Sequence, residues 1–181
     1  SPRARIARAG SGPMSDGHAT HEVFNQVPDL LGTNLFEVDT TLRRAVDAFG
    51  GGFGAGALAV YGALAGGDLA EHGRLANEFP PRLRTHDRAG HRIDAVEYHP
   101  SYHALMRAAI AHGVHSLPWE APRAGAHVVR AALELLHNQA DSGTDCPVTM
   151  TFASIPALRA NPALAGLWEP RVLSREYDPA N

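Results

Sequence analysis

Apolar residues in this chain recur mainly at the three- and four-residue spacing of amphipathic helices, with glycine and proline between the repeats. Three stretches carry such a stripe: residues 39–49, where Asp39 can cap the helix, 100–113 and 125–142. The stripes consist of Leu42, Ala45, Val46 and Phe49; Tyr102, Leu105, Met106, Ala109 and Ile110; and Val129, Ala132, Leu133, Leu136 and Ala140. Ala55–Gly67 is apolar on all sides and rich in small residues, which is typical of a buried helix.

Capping residues and prolines indicate where other elements begin and end. Asp68 followed by Glu71 predicts a helix that starts with Asp68 as its cap. That helix must stop at Pro80, because proline has no backbone N–H and disfavours a helical residue before it. A short, exposed β-hairpin follows, with its turn at Gly90. His99 and Pro100 then suit the start of the next helix.

Proline also marks the last elements. Pro147 predicts a helix start, and Pro156 predicts its end. A short helix is expected over Pro162–Trp168, followed by an irregular tail. About six or seven helices with one short β-hairpin make this an all-α, bundle-like domain.

The first 38 residues have no sustained period. Residues 1–17 contain arginines but no apolar segment, so we expect a loosely ordered leader and no secretory signal. Residues 18–38 carry scattered apolar side chains broken by proline and glycine, as in an extended apolar arm. The arm could cover its own domain or reach a neighbouring subunit. The helical domain then spans residues 39–181.

The composition of the chain disfavours or excludes several classes of function. The 181 residues carry a net charge of −3, which disfavours a broad nucleic-acid or acidic-membrane surface. All 16 basic residues are arginine, so no Schiff-base or P-loop lysine exists in this sequence. Cys146 is its only cysteine, which excludes an internal disulfide and favours a reducing, cytoplasmic setting. No apolar run reaches membrane-spanning length, so we expect no membrane partner.

Four histidines near the hairpin are the candidate metal ligands: His86, His91, His99 and His103. The last two are four residues apart, as ligands on one helical face would be. Pro100 places the first of that pair at the helix start, however, so their side chains need not converge. Structural histidines that cap or bond to backbone are the better interpretation, and we expect no metal site.

Other candidate chemistry is weaker. Cys146 precedes a helix N-terminus, where the dipole would activate a thiol, but no partner base is marked out, and an inert thiol is favoured. The glycines of residues 50–56 lack a preceding strand and a following acid, which argues against a dinucleotide site. The hairpin arginines are diluted by acids, which favours a solvated, self-paired surface over nucleic-acid binding. They are Arg82, Arg84, Arg88 and Arg92.

Four ordered motifs nonetheless carry a specific resemblance. They are "THEVFNQVP", "GRLANEFPPRLRTHDRAGHRIDAVEYHPSYHALM", "CPVTMTFASIPAL" and "EPRVLSREYDP". The chain resembles, from about residue 20 to residue 178, the N-terminal helical domain of the AidB-type branch of the acyl-CoA dehydrogenases. This resemblance implies the helical fold of that domain.

The resemblance also implies a function for a longer protein. Members bind FAD, form tetramers and are linked to the response to DNA alkylation. It places the flavin motif, the catalytic glutamate and the DNA-binding surface beyond this sequence. We therefore expect no catalytic residue and no bound FAD in this chain alone, and expect its partners to be the remaining domains of the same protein. DNA would bind only through the C-terminal domain.

The resemblance gives roles to two segments. Residues 18–38 would contact neighbouring subunits in a homo-tetramer. The start of the "CPVTMTF" helix and the end of the preceding helix would approach the acyl and flavin cavity, with Gln139, Met150, Thr151 and Phe152 as lining residues. Two alternatives stay open: a stand-alone helical module that oligomerises through its arm, and a metal-binding protein that uses the four histidines.

Overall fold

Helices make up most of the computed structural model, which describes residues 24–27 and 30–180. In this part of the chain there are nine α-helices, a 3-10 turn at Gly52–Gly54 and one two-stranded antiparallel hairpin. The elements are α1 (Leu35–Val38), α2 (Thr40–Ala48), α3 (Ala55–Ala65), α4 (Asp68–Glu78), β1 (Arg82–His86), β2 (Arg92–Glu97), α5 (Pro100–Ala111), α6 (Leu117–Glu120), α7 (Ala126–Ala140), α8 (Asp145–Arg159) and α9 (Pro162–Val172). The mostly helical prediction with one hairpin is confirmed. Helices α1 and α6 were not predicted.

The core lies where α3, α4 and α5 meet α7. Helix α7 buries the predicted stripe, and Val129, Leu133 and Leu136 are fully enclosed. Close packing depends on Gly62 of α3, because a Cβ there would lie 2.6 Å from the backbone nitrogen of Phe36. Helix α3 itself is buried only on one side, and Val60 on its other side is exposed. The prediction of burial on all sides was therefore wrong.

Three predicted helix starts are confirmed in atomic detail. The Asp39 carboxylate accepts a hydrogen bond from the backbone N–H of Leu42 at 2.8 Å. The imidazole Nδ1 of His99 accepts from the N–H of Ser101 at 3.2 Å. Asn161 caps α9 in the same way. Side-chain acceptors at these positions satisfy N–H groups that have no partner inside the helix.

The predicted cap at Asp68 was wrong. Only Gly66 and Gly67 connect α3 to α4, so the chain turns on the glycines and Asp68 is already the first helical residue. Gly67 occupies the cap position, and no side chain accepts a hydrogen bond there. Asp68 still favours the helix, since a carboxylate in the first turn interacts well with the helix dipole.

Proline did not end α8 where the sequence predicted. The helix continues past Pro156 to Arg159. A proline deprives the carbonyl four residues earlier of its helical partner, here the carbonyl of Phe152. The indole Nε1 of Trp119 donates to that oxygen at 3.1 Å and replaces the missing bond. Helix α9 likewise runs through Pro170 to Val172, beyond its predicted end at Trp168.

Two polar side chains of the α7 region are buried although both lie off its predicted apolar stripe. Arg130 donates from Nε to the carbonyl of Val114 at 3.0 Å and pairs with Glu134. Asp141 ends the helix and accepts hydrogen bonds from the following turn. Conversely, Phe49, predicted to face the core from α2, is exposed.

The hairpin is as predicted, and Gly90 adopts a left-handed φ of 87° in its turn. Its pairing shifts register in β2, where Asp94 takes a positive φ of 44° as part of a bulge. Both faces of β1 are exposed. Isolated two-stranded hairpins are marginally stable, so this one depends on the helices that flank it.

The beginning of the chain falls partly outside the described residues, including the predicted leader 1–17 and the first part of the arm. The described arm residues Phe24, Val27 and Leu30 are exposed. The end of the predicted arm, residues 35–38, forms α1 instead, and its Leu35 and Phe36 are buried.

Among the described residues, none of the helices alone has the length and apolarity to cross a membrane. One pair bent by 48°, Gly52–Ala65 with Asp68–Glu78, meets those two criteria jointly.

Candidate functional site

The corner between α7 and α8 carries a surface hollow of about 540 Å³. Asp141 and Cys146 line it from this corner, Asn77 from α4, and Tyr98 and Tyr102 from the start of α5. The two tyrosine rings stack with their centroids 4.1 Å apart. Prolines supply much of the remaining wall, so the hollow combines apolar sides with a carboxylate and an amide.

A buried chain of hydrogen bonds underlies this hollow. The Thr144 hydroxyl donates to Asp141 Oδ2 at 2.7 Å, so its single hydrogen is used. The Thr144 hydroxyl oxygen therefore accepts a hydrogen bond from His137 Nε2 at 2.9 Å. In turn, His137 Nδ1 accepts a hydrogen bond from the Tyr61 hydroxyl at 2.8 Å. Asn77 donates to Asp141 Oδ1 at 3.1 Å and completes the set. We call these five residues the corner relay.

Burial keeps two members of the corner relay neutral. Burial lowers the pKa of His137, although Asp141 and Glu134 oppose this shift. Burial also raises the pKa of Tyr61, and the nearby charge of Asp145 adds to it. A neutral histidine has one donor and one acceptor nitrogen, which matches the directions of its two hydrogen bonds. The corner relay fixes the geometry of the corner from inside the core.

An exposed face of α8 extends from the hollow. Cys146, Met150, Ala153 and Ala157 are exposed and follow one another at helical spacings of four, three and four. Met150 is the largest apolar side chain on this face and is 66% exposed. We call these four residues the α8 face. Exposed apolar helix faces of this kind are typical of surfaces that another domain covers.

The opposite side of α8 packs into an aromatic cluster. Phe152 lies 5.1 Å from Trp119 between ring centroids, and His127 contacts both rings edge-on. The Arg130 guanidinium lies 4.0 Å above the Phe152 ring. Glu134 and Thr149 hold this arginine in place. The cluster attaches α8 to α6 and α7, which explains how α8 can leave its other face bare.

The four residues predicted to line a cavity do not lie together. Met150 is on the exposed α8 face, and Phe152 is in the aromatic cluster. The Thr151 hydroxyl donates to the Pro147 carbonyl at 2.8 Å, inside its own helix. Gln139 lines a different hollow, beside Leu30 and Leu31 of the arm.

The sequence did not predict most of the residues that line the hollow. Neither Asp141, Asn77 nor Tyr98 was singled out as a site residue. One signal was available: Tyr98 and Tyr102 are four residues apart across a helix start, a spacing at which rings can stack. The contribution of α4 depends on tertiary packing and has no local signature.

Each of the four candidate metal ligands has another partner. His99 caps α5, and His103 Nδ1 lies 2.8 Å from the Tyr177 hydroxyl. His91 pairs with Asp87 at 3.0 Å across the hairpin turn. Within residues 24–27 and 30–180, no group of three histidine, cysteine, aspartate or glutamate side chains is arranged to hold a metal ion.

The other candidate chemistry also has structural explanations. Gly54, from the glycine-rich stretch, packs directly against the Val129 side chain and forms no open phosphate loop. In the hairpin, Arg84 pairs with Glu97 and Arg92 pairs with Asp94. These exposed pairs match the predicted self-paired surface.

Comparisons with known proteins identify a family, a relative and solved structures that this chain resembles. The family model described as "Adaptive response protein AidB N-terminal domain" matches residues 25–179. The Escherichia coli (strain K12) protein named "Putative acyl-CoA dehydrogenase AidB" is 44% identical over 162 residues, which is 88% of this chain and 30% of that protein. The chain thus spans less than a third of the curated relative that it matches.

Two solved structures share the fold. Caenorhabditis elegans ACDH-11, solved in complex with C11-CoA, matches with a TM-score of 0.73 and 22% identity. The match covers 87% of this chain and 29% of that one. The apo form of Bd2924 matches with a TM-score of 0.76 and 24% identity, over 85% of this chain and 32% of that one.

Proposed function

Because the chain belongs to the AidB N-terminal domain family, we propose that it is the helical N-terminal domain of a longer, FAD-dependent acyl-CoA dehydrogenase homologue that acts in the response to DNA alkylation. The proposal rests on the family match together with the small fraction of the relative's length that this chain matches. The relative is 44% identical, and the matched region is only 30% of its length. Most of the relative therefore has no counterpart in this sequence.

The exposed apolar surfaces of α8 and α9 support the proposal that further domains pack against this one. The α8 face is exposed, and so are Leu164, Leu167 and Trp168 along one side of α9. A helix needs an apolar face to pack, so two exposed faces on adjacent helices fit docking against further parts of the same protein. We propose that the α8 face and the hollow beside it form one wall of the acyl and flavin cavity.

The residues described by the structure do not fit FAD by themselves. A flavin dinucleotide needs a cradle for its pyrophosphate, and the one glycine-rich stretch is closed by packing against Val129. When bound, the flavin would accept a hydride from the acyl substrate, which is chemistry that the cofactor supplies. In this proposal the catalytic base and the flavin-binding motif come from the rest of the protein.

The proposal also covers the role of the arm, the binding of DNA and the cellular location. Phe24 and Val27 are 85% and 89% exposed, which supports contact between subunits of a homo-tetramer through residues 18–38. DNA would bind through the C-terminal domain and not through this chain. A cytoplasmic location agrees with the single cysteine.

The test uses the product of the native gene. We expect it to bind FAD, with flavin absorbance that co-purifies with the protein, whereas the 181-residue chain alone should bind none. A Met150→Arg change should reduce the flavin content or activity of the longer protein without destabilising the isolated chain. Leu83→Arg, at an exposed hairpin position, is the matched control and should change neither. Equal effects of both substitutions would contradict the assignment of the α8 face.

A second function, a stand-alone module that oligomerises through its arm, is favoured by the same exposed Phe24 and Val27. Its test is the size in solution after deletion of residues 1–31. The deletion should end there, because Leu35 and Phe36 belong to the core. Dissociation would support arm-mediated assembly, and an unchanged oligomer would contradict it.

A further inference from the structure

The segment that follows α9 is held against the connection between α5 and α6. Its central residue, Arg175, donates from Nε and Nη2 to Glu120 Oε2 at 2.9 and 2.8 Å. The same guanidinium reaches the Ala111 carbonyl at the end of α5, at 3.4 Å. One side chain therefore joins this segment to two helices.

Gly113 makes room for this arginine. A Cβ at Gly113 would lie 2.6 Å from the guanidinium carbon, so the planar group rests on the glycine backbone. The residue also adopts a left-handed φ of 70°, which glycine tolerates without strain. Both requirements point to glycine at this position.

His115 holds the residue next to Arg175. Its Nε2 lies 3.0 Å from the Ser174 carbonyl oxygen, and since a carbonyl only accepts, Nε2 carries the hydrogen. In the neutral ring, Nδ1 is then a bare acceptor. Among the residues that the structure describes, that Nδ1 is buried without a hydrogen-bond partner.

A third contact holds the other side of Arg175. The Tyr177 hydroxyl lies 2.8 Å from His103 Nδ1, and the Arg107 guanidinium lies 5.8 Å from the centre of the Tyr177 ring. Residues 174–177 are thus fixed at three successive points along the chain.

We propose that residues 174–177 form a clasp that is closed at neutral pH and released when His115 gains a proton. Within residues 24–27 and 30–180, the added N–H at Nδ1 has no acceptor in the closed state, and the new charge would be buried beside Arg175. A buried donor without a partner and a buried like charge both favour the opened state, in which His115 reaches water.

The charged groups around His115 do not cancel this effect. Glu120 of α6 attracts the proton, but its carboxylate is already paired with Arg175. Arg130 of α7 donates to the neighbouring Val114 carbonyl and is itself paired with Glu134. Burial lowers the pKa of His115 as the largest influence, ahead of the opposing hydrogen bond to Ser174 and the charge of Glu120. Release is therefore expected below the ordinary histidine range.

The clasp has a functional consequence that rests on the proposed function. In a longer protein, residues 174–177 would lead from the helical domain to the next one. Tyr177 also contacts His103, whose ring lies against Tyr98 and Tyr102 of the hollow. A closed clasp would fix both the direction of the connection and one wall of the hollow.

The experiment is hydrogen exchange on the 181-residue chain, with protection factors corrected for intrinsic rates. Amides of residues 173–178 should lose protection about tenfold between about pH 7.5 and pH 5.5, the change that one pKa unit represents. Arg175→Ala should lower protection at both values. His115→Gln keeps an N–H for Ser174 but does not titrate, so its protection should not depend on pH. Arg88→Ala, in the exposed hairpin turn, is the matched control and should match the unmodified chain.

Three results would overturn the clasp: unchanged protection in Arg175→Ala, a persistent pH dependence in His115→Gln, or a loss of protection at residues 173–178 that only equals the loss in α7, which would indicate global unfolding. An NMR titration of His115 in the unmodified chain gives a check independent of variants, since its midpoint must coincide with the loss of protection. These outcomes say nothing about flavin binding, so the clasp and the proposed function can fail separately.

Discussion

Helices α7 and α9 have similarly apolar sequences and opposite surroundings. Helix α7 buries seven of its residues, including Leu133 and Leu136. Helix α9 buries none, and its Leu167 and Trp168 are 51% and 45% exposed. Helix α7 lies at the centre of the packed core, whereas α9 leaves its apolar side chains exposed. The difference supports the proposal that further parts of a longer protein cover the α9 side of this domain.

The same contrast exists within α8. Its inner side enters the aromatic cluster, and its outer side, the α8 face, has no cover among the described residues. The α8 face begins at Cys146, which also lines the hollow, so this exposed surface and the hollow are continuous.

The largest effect is expected from paired leucine truncations on the two helices. Leu133→Ala should destabilise the chain by about 3 kcal/mol, because it opens a cavity in a fully buried site. Leu167→Ala should change stability by less than about 0.5 kcal/mol, since its side chain is half exposed. Urea unfolding of both variants measures this. Equal losses would remove the distinction between α7 and α9.

Two glycines of α3 sharpen the comparison further. Gly62→Ala should cost about 2 kcal/mol, because its Cβ would be forced against the backbone of α1. Gly56→Ala in the same helix meets nothing within 4 Å and should stabilise the chain by about 0.5 to 1 kcal/mol. Thermal unfolding can compare them, and an effect of the same sign in both would contradict the packing described here.

The corner relay should contribute less than the core. Tyr61→Phe should cost about 1 to 2 kcal/mol, because His137 Nδ1 would be left buried without a donor. Urea unfolding at neutral pH measures the loss. Unchanged stability would show that the hydrogen bond of Tyr61 is not needed to satisfy the histidine.

The smallest effect is expected from mild acid. Burial lowers the pKa of His137, so near pH 6.5 and below, the unfolded chain binds more protons than the folded one. Stability should therefore be fully present above about pH 6.5 and fall as pH decreases through the lowered pKa of His137. Unfolding curves at several pH values test this. His86→Gln, at an exposed site, is a control that should keep the dependence, and a flat profile would contradict the account.

The sequence predicted the features that local chemistry decides. Helical stripes, caps at Asp39 and His99 and the turn at Gly90 need only neighbouring residues, and the structure confirms them. Pro156 misled the prediction because a distant tryptophan, Trp119, replaces the lost hydrogen bond. The buried positions of Arg130 and Asp141 were likewise decided by partners elsewhere in the chain.

The candidate site was only partly predictable for the same reason. The start of α8 was predicted to within two residues, because Pro147 suits the first turn of a helix. The hollow was not, since it combines Asn77 of α4 with Tyr98 and Asp141 from two other regions. Residues that share a motif, such as Met150 and Phe152, were assigned together although they lie on opposite sides of one helix.

The intact mass of the protein made from the native gene, measured together with its flavin spectrum before any storage, tests the central claim most directly. We predict a mass well above 19.3 kDa and bound flavin, because the α8 face and α9 are to be covered by further domains. A mass equal to that of this chain, with no flavin, would contradict the account and favour the stand-alone module.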